Sequence, residues 1–363
     1  LAADKSSTVR IGIIGCGGIA NGKHLPSLAK LGNVEVVAFC DIIEEKAQAA
    51  AKEYGARGAK VYADYKKMLD AGGFEVVHVC TPNDSHAPIT INALQAGNHV
   101  MCEKPMAKTA ADARRMVETA KQTGKKLTVG YQSRHRPDSQ YLYNACRKGD
   151  LGEIYFAKGH AIRRRAVPTW GVFLDEEKQG GGPLIDIGTH ALDLTLWLMD
   201  NYEVKYVVGN TYRKLADREN AANAFGPWDP KQFTVEDSAF GFITMKNGAT
   251  IILESSWALN TLDVREAQTT LCGTEGGADM VGGLRINGEN QSRLWETKVD
   301  TKAGGVAFYS GASESDTDRE ARLWIEAVIN DTPPVVLPEQ ACVVSEILEA
   351  IYTSARTGQP VMF

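Results

Sequence analysis

In the first third of the chain, short apolar runs alternate with longer stretches in which apolar residues recur at helical spacing. Val9–Ile14, Val34–Cys40, Val76–Cys80 and His99–Cys102 are compact runs of strand length, and Val61–Tyr62 and Leu127–Tyr131 are shorter candidates. Runs with little alternation suit strands covered on both faces. Between them the spacing predicts a tight turn over Gly15–Ala20 leading into a helix to about Leu31. Further helices are predicted over Glu44–Tyr54, Tyr65–Leu69, Ala87–Ala96 and Thr109–Thr123, the last two closed by Gly97 and Gly124. Strands alternating with helices require right-handed crossovers, which predicts a parallel, doubly wound sheet.

After about Tyr131 the pattern changes. One helix, Asp138–Lys148, ends at Gly149, and strand-like segments then dominate: Ile154–Ile162, Val204–Tyr212, Ser238–Met245, Ala249–Ala258 and Ala267–Cys272. Asn247-Gly248 between two of them is a hairpin signal, so these strands are expected to pair antiparallel, with helices on one face. A last helix is predicted over Glu339–Arg356, and the pattern leaves open which domain it packs on. The expected fold is α/β. An N-terminal Rossmann-type doubly wound parallel sheet occupies residues 1–131, and a C-terminal α+β domain with a large, mostly antiparallel open sheet occupies residues 132–363.

Length and composition fit this division. A chain of 363 residues suits two domains, and 44% hydrophobic with 23% charged residues is globular. A net charge of -5 argues against a nucleic-acid partner, which calls for a basic face. No apolar run has the length of a membrane span and no signal-peptide pattern opens the chain, so no membrane partner is expected and a cytoplasmic location is the default, with export of the folded protein left open. Leu1 and the small polar stretch Ala2–Thr8 read as a processed end outside the fold. The seven cysteines are scattered, with no CxxC pair, as for reduced core thiols in a cytoplasmic protein. No histidine or acidic residues stand at metal-ligand spacing, and no metal is expected.

Gly15-Cys16-Gly17-Gly18-Ile19-Ala20 follows a strand and opens a helix, which is the GxGxxA arrangement of a dinucleotide site. Gly15 permits the turn, Gly17 lets backbone approach a pyrophosphate, and Ala20 lets the helix pack close to the strand. Gly18, Ile19 and Ile42 are expected beside the cofactor. Asp41 ends the second strand about twenty residues past the motif, where an acid meets the ribose hydroxyls. A carboxylate repels a 2′-phosphate, and Ile42 and Ile43 offer no cation to hold one, which favours NAD over NADP. Asp41 as a cap of the helix near Glu44 is the competing role.

Two further segments carry candidate chemistry. Glu103-Lys104-Pro105 follows the fifth strand, at the sheet edge where cofactor chemistry takes place. A cis bond between Lys104 and Pro105 is expected there. Gly180-Gly181-Gly182-Pro183 precedes a helix with Gly182 at its N-cap and Pro183 first inside, placing Asp186 and His190 one turn apart on one face. Alone, Lys104 is a surface lysine and Asp186–His190 a helix-stabilising pair. With the glycine motif they suit hydride transfer from an alcohol. A neutral histidine removes the hydroxyl proton, a lysine holds the oxygen as charge builds, and no metal is required.

Gly15–Ala20, Thr81-Pro82-Asn83-Asp84-Ser85-His86, Glu103-Lys104-Pro105 and Gly182–His190 occur in the order and spacing of a known family. The chain resembles the glucose–fructose oxidoreductase / inositol dehydrogenase / rhizopine-catabolism (Gfo/Idh/MocA) oxidoreductases over nearly its whole length. The resemblance implies that Lys104 and His190 are catalytic with Asp186 assisting. It further implies that Thr81, Asn83, His86 and Glu103 lie along the cofactor, and that homo-oligomers, dimers or tetramers, form through the open face of the C-terminal sheet. One departure stands out. Many relatives carry Trp-Arg about a dozen residues before the glycine run, whereas here Trp170 is followed by Gly171. The segment Gly171–Gly180 then reads as a lid or subunit contact.

Arg134, His160, Arg164 and Trp170 are candidates to line a substrate cleft, and Arg163–Arg165 read equally as a solvated strand end. Glu236-Asp237 reads as a loop acid pair without function. The activity expected is NAD-dependent oxidation of a secondary ring hydroxyl of a sugar, glycoside or cyclic polyol, with a glucoside oxidised at C3 favoured by the resemblance alone. Two alternatives stay open: an NAD-dependent, redox-assisted glycosidase, and a non-catalytic NAD-binding regulator.

Overall fold

A computed structural model describes residues 8–301 and 314–363, so most of the polar opening stretch lies outside the described residues. The chain forms two compact units, one of Leu1–Gln132 with Glu314–Cys342, the other of Ser133–Ser313 with Val343–Phe363. The first unit therefore includes a late segment that a division at residue 131 leaves out.

The first unit holds strands β1 (Val9–Ile14), β2 (Val34–Cys40), β3 (Lys60–Tyr62), β4 (Val76–Val79), β5 (His99–Cys102) and β6 (Leu127–Val129). All pair parallel in the order β3-β2-β1-β4-β5-β6. The order reverses between β1 and β4, and ligands of such sheets bind beyond the strand ends at that point. The helices are α1 (Leu25–Leu28), α2 (Glu44–Tyr54), α3 (Tyr65–Ala71), α4 (Asn83–Gln95) and α5 (Ala110–Thr123). A π-helical turn, Ala20–His24, leads into α1, which ends earlier than the expected Leu31. Helix α4 starts at Asn83, ahead of the expected Ala87, and runs through Pro88. Pro88 lies in the second turn, where its missing N–H costs one bond and leaves the helix intact.

The late segment carries a helix, Asp316–Ile329, that was not among the expected elements. Ser315 caps it by accepting the N–H of Asp318. Ala321, Trp324 and Ile325 enter the same core as Ile11, Ile13, Phe39 and Val76. A cap followed by apolar residues at three- and four-residue spacing was the signal that could have found it.

The second unit holds helices α6 (Pro137–Lys148), α7 (Glu176–Gln179) and α8 (Thr189–Met199). Its strands are β7 (Ile154–Ile162), β8 (Val204–Tyr212), β9 (Ser238–Met245), β10 (Thr250–Ser256), β11 (Arg265–Gly273), β12 (Gly276–Asp279), β13 (Arg285–Asn290), β14 (Arg293–Lys298) and β15 (Val361–Met362). They form one sheet in the order β14-β13-β12-β11-β7-β10-β9-β8-β15. Only β7 and β10 pair parallel in it, and the β9–β10 hairpin turns at Asn247-Gly248, with Gly248 at φ 93°. Strands β12 to β14 were not expected. Much of β13 and all of β14 are exposed, so these strands carry little apolar alternation to read. The C-terminal helix Pro338–Thr357 begins in residues of the first unit and continues in those of the second.

A side chain added at Gly159 would meet Thr195 and Ala191 of α8, so Ala157, Gly159 and Ala161 of β7 face that helix. Strand alternation puts Phe156, Lys158 and His160 on the opposite, open face. Below α8, Arg134 is fully buried and holds Asp193 through two bonds, Nε to Oδ2 at 2.9 Å and Nη2 to Oδ1 at 2.6 Å. Its guanidinium also lies 5.5 Å over the Trp197 ring.

No helix among the described residues is long and apolar enough to cross a membrane. All seven cysteines are free thiols.

Candidate active site

The dinucleotide end of the first unit is built from three loops. Gly15 has φ 91°, and a Cβ there would stand 2.6 Å from the Cys80 backbone, so only glycine fits between β1 and β4. Gly17 and Gly18 instead face open space, with no heavy atom within 4 Å of where a side chain would start. Ile19 and Ile42 are exposed beside them. Asp41 ties the loop to β2: its carboxylate accepts the Cys16 N–H and the Ile43 N–H, both at 2.8 Å. It closes a local turn and leaves the N-cap of α2 to Ile43. Thr81, just past β4, has a buried hydroxyl with no partner among the described residues. An open glycine cradle, a helix start and an orphaned hydroxyl fit a pyrophosphate and its ribose. Gly17, Gly18, Asp41 and Thr81 are the residues that would hold NAD.

Asn83 opens α4 and is nearly buried. His86, one turn on, is buried, and both ring nitrogens meet backbone carbonyls: Nδ1 that of Pro105 at 2.7 Å, Nε2 that of Thr81 at 2.9 Å. Two acceptors call for two N–H donors, which only the imidazolium supplies. Burial opposes the charge, but the Cys102 sulfur and the two carbonyls outweigh it and raise the pKa to about 9. His86 thereby joins the Thr81 loop to the Lys104-Pro105 turn, whose peptide bond is cis, as expected. Lys104 is half-buried in this turn.

Beneath Lys104 lies an ionic cluster that the sequence did not reveal. Glu103 is buried; Oε1 accepts from Lys23 Nζ and from His24 Nε2, both at 2.8 Å, and Oε2 accepts the Lys104 N–H at 3.1 Å. His24 Nδ1 lies 2.9 Å from His78 Nδ1. With Nε2 of His24 on Glu103, one of the two facing Nδ1 atoms carries the proton shared between the rings. Burial raises the Glu103 pKa, but Lys23 and His24 overcome it and hold the carboxyl well below its ordinary range. Lys23 also reaches Glu320 of the Asp316–Ile329 helix at 2.9 Å.

In the second unit, the glycine run leads into a π-helical segment, Leu184–Gly188, continuous with α8. Pro183 is its N-cap, one residue later than expected. The expected capping role of Gly182 falls to Glu236, whose carboxylate accepts the N–H groups of Gly182 (2.8 Å) and Leu184 (3.1 Å) and the Tyr352 hydroxyl (2.8 Å). Glu236 is therefore no idle loop acid. Burial, opposed by these three donors, raises its pKa to about 7. Side chains at Gly181, Gly182 and Gly188 would strike Tyr352, Glu236 and Ser255, so the segment is pressed against its supports. From Gly181 to His190 only Asp186 is more than slightly exposed. Its Oδ2 accepts the Nε1–H of the buried Trp257 at 3.0 Å. His190 opens α8, almost buried.

Two cleft candidates fall elsewhere. Arg134 is interior, neutralised by Asp193, because its position after β6 carries it under α8. His160 faces the open side of the sheet, with Nδ1 2.9 Å from Glu254 and Nε2 3.1 Å from Thr270, because strand parity turns it away from α8. Arg164 is exposed. Trp170 is exposed and packs edge-to-face on Phe225 and Phe173. The segment from Gly171 forms a turn and the short α7, pinned to a neighbouring loop by Thr234. Among the described residues no group of three or more His, Cys, Asp or Glu is gathered as a metal site.

Both units of the chain are similar to known proteins. Residues 9–131 match the oxidoreductase-family NAD-binding Rossmann fold, and residues 145–363 match the oxidoreductase-family C-terminal alpha/beta domain. The chain is 38% identical over 361 residues to D-glucoside 3-dehydrogenase of Escherichia coli K12, covering 98% of each. It is 33% identical over 195 residues to inositol 2-dehydrogenase of Salmonella typhimurium LT2, covering 53% of this chain and 55% of that one. Its fold is similar to that of an oxidoreductase domain protein from Kribbella flavida, with a TM-score of 0.83 at 23% identity, covering 98% and 99% of the two chains. With both domains matched and the glycine cradle shaped for the dinucleotide, the chain belongs to the Gfo/Idh/MocA family of NAD-dependent oxidoreductases.

Proposed function

We propose that the enzyme oxidises a secondary ring hydroxyl of a sugar or cyclic polyol to a ketone, and that its substrate is a glucoside oxidised at C3. The observation that carries this reading is the presentation of Asp186. In a rigid, buried segment that ends on His190, it is the accessible group, and Trp257 fixes its orientation. A vicinal diol offers hydroxyls for such a carboxylate and for a base beside it. The named activity of the E. coli relative, similar over nearly the full length of both chains, supports the glucoside and the carbon.

In this mechanism NAD, held by Gly17, Gly18, Asp41 and Thr81, would supply the hydride acceptor for the carbinol carbon. His190 takes the hydroxyl proton, Lys104 holds the reacting oxygen as negative charge builds on it, and Asp186 binds the neighbouring hydroxyl and orients the ring. The cluster of Lys23, His24 and Glu103 steadies the turn that carries Lys104. An uncharged substrate fits the arginine run. Arg163 is committed to Glu266 through two bonds, and Arg165 donates to Asn260.

Incubation with NAD and a panel of hexoses, glycosides, inositols and sugar phosphates, followed by NMR of the products, tests the reading. A ring ketone with accumulating NADH is expected. Activity confined to open-chain acids or dihydrodiols, or glycoside cleavage without NADH, would overturn it.

Copies are further proposed to associate through the open sheet face, where Val208, Tyr212 and Phe242 are exposed on β8 and β9. Light scattering of the wild type against Phe242→Lys tests this.

A further inference from the structure

A line of aromatic rings runs outward from Asp186. Trp257, which donates to that carboxylate, is fully buried, and its ring lies 6.4 Å from that of Phe173. Phe173 meets Trp170 at 5.8 Å, and Trp170 meets Phe225 at 4.8 Å with the rings at 88°. The two outermost rings are 53% and 47% exposed. Two loops hold this corner, laced together by hydrogen bonds. Asn223 accepts the Val167 N–H at 2.8 Å and donates to the Val167 carbonyl at 2.9 Å. Thr169 donates to the Phe225 carbonyl at 2.7 Å, and Thr234 donates to that of Leu174 at 2.9 Å. The corner is thus a built feature, in which two large apolar rings face solvent although neighbouring backbone is fixed well enough to have buried them.

We propose that Trp170, Phe225 and Phe173 form a subsite for the aglycone of a glucoside, and that this aglycone is a planar aromatic group. The inference rests on the sugar reading of Asp186 and names what lies beyond the oxidised ring. Two perpendicular aromatic faces offer offset and edge-to-face contacts to a third ring. A second sugar would need polar partners around its hydroxyls, and two polar side chains adjoining the pair, Thr169 and Asn223, are committed to lacing the loops. The ring contacts run from Asp186 through the buried Trp257 and on through Phe173 to the exposed pair, which links the proposed subsite to the carboxylate proposed to bind the sugar.

The test compares kcat/KM for methyl and phenyl glucosides. The wild type is expected to favour the phenyl glucoside by about tenfold, the size of one good aromatic contact. That ratio should fall towards one in Trp170→Ala and Phe225→Ala, and Trp170→Phe should retain much of it. A wild-type ratio near one, or equal losses on both substrates in the variants, would overturn the subsite. Should neither glucoside be oxidised, the functional reading fails separately, and titration of the NAD-loaded protein with phenyl glucoside by tryptophan fluorescence decides the subsite. Saturable binding that Phe225→Ala abolishes supports it; no saturable binding overturns it.

Discussion

The Lys23 ammonium lies 2.8 Å from the Glu103 carboxylate, with both side chains buried and the two residues 80 positions apart in sequence. Glu320 completes the pair from the far end of the chain. One cation thus serves two carboxylates that burial alone would discharge, and Glu103 in turn accepts the N–H of Lys104. Removing the cation leaves two buried acids facing each other. Lys23→Met should destabilise the protein by about 3–5 kcal/mol, the range for breaking a buried ion pair from one side. Equilibrium urea unfolding measures it, and a loss below about 1 kcal/mol would show the cluster to be dispensable.

The catalytic assignment predicts a split between turnover and cofactor binding. His190→Ala and Lys104→Ala should each lower kcat by about two to four orders of magnitude while NAD affinity changes far less, because both side chains act on the reacting hydroxyl. Stopped-flow turnover and NAD titration together check this. Near-normal kcat in either variant at neutral pH would remove that residue from the mechanism.

Asp41 has two duties, and its replacement should show both. The carboxylate disfavours a 2′-phosphate, and it also anchors the Cys16 N–H of the glycine loop. Asp41→Ser is expected to narrow the preference for NAD over NADP and to weaken NAD itself, as the loop loses a charge-assisted bond. Titration of both cofactors gives the answer. Tighter binding of NADP by the wild type would defeat the assignment.

Glu236 makes stability depend on pH. Its folded pKa, about 7, lies above the ordinary 4.5 because burial favours the protonated form. The folded state therefore holds this proton more tightly than the unfolded chain does. The resulting stabilisation is fully present below pH 4.5 and is lost as pH rises through about 7. The difference in melting temperature between wild type and Glu236→Gln should accordingly shift against the wild type across that window. A pH-independent difference would mean that the three donors keep Glu236 ionised throughout.

The doubly wound half was legible because its signals are local. Compact apolar strands, helices closed by glycine and a loop whose glycines each answer a steric demand need no knowledge of the rest of the chain. The same holds for the hairpin at Asn247-Gly248 and for Asp186 and His190, whose spacing places them on one short segment. The Asp316–Ile329 helix was equally readable from its Ser315 cap and apolar spacing, and it was overlooked.

Other features depend on which elements meet. Sequence order placed Arg134 and His160 near a cleft, yet packing under α8 buried the first and strand parity turned the second to the open face. Glu236 looked idle until the glycine run was brought to it, and Phe225 had no reason to stand beside Trp170 before two loops were laced together. The sequence by itself determined the fold class, the dinucleotide motif and the residue types for alcohol oxidation, because backbone sterics and periodicity are local properties. The tertiary structure alone decided which charges are buried together and which rings meet at the surface, because pairing across many residues is set by packing and leaves no trace in spacing.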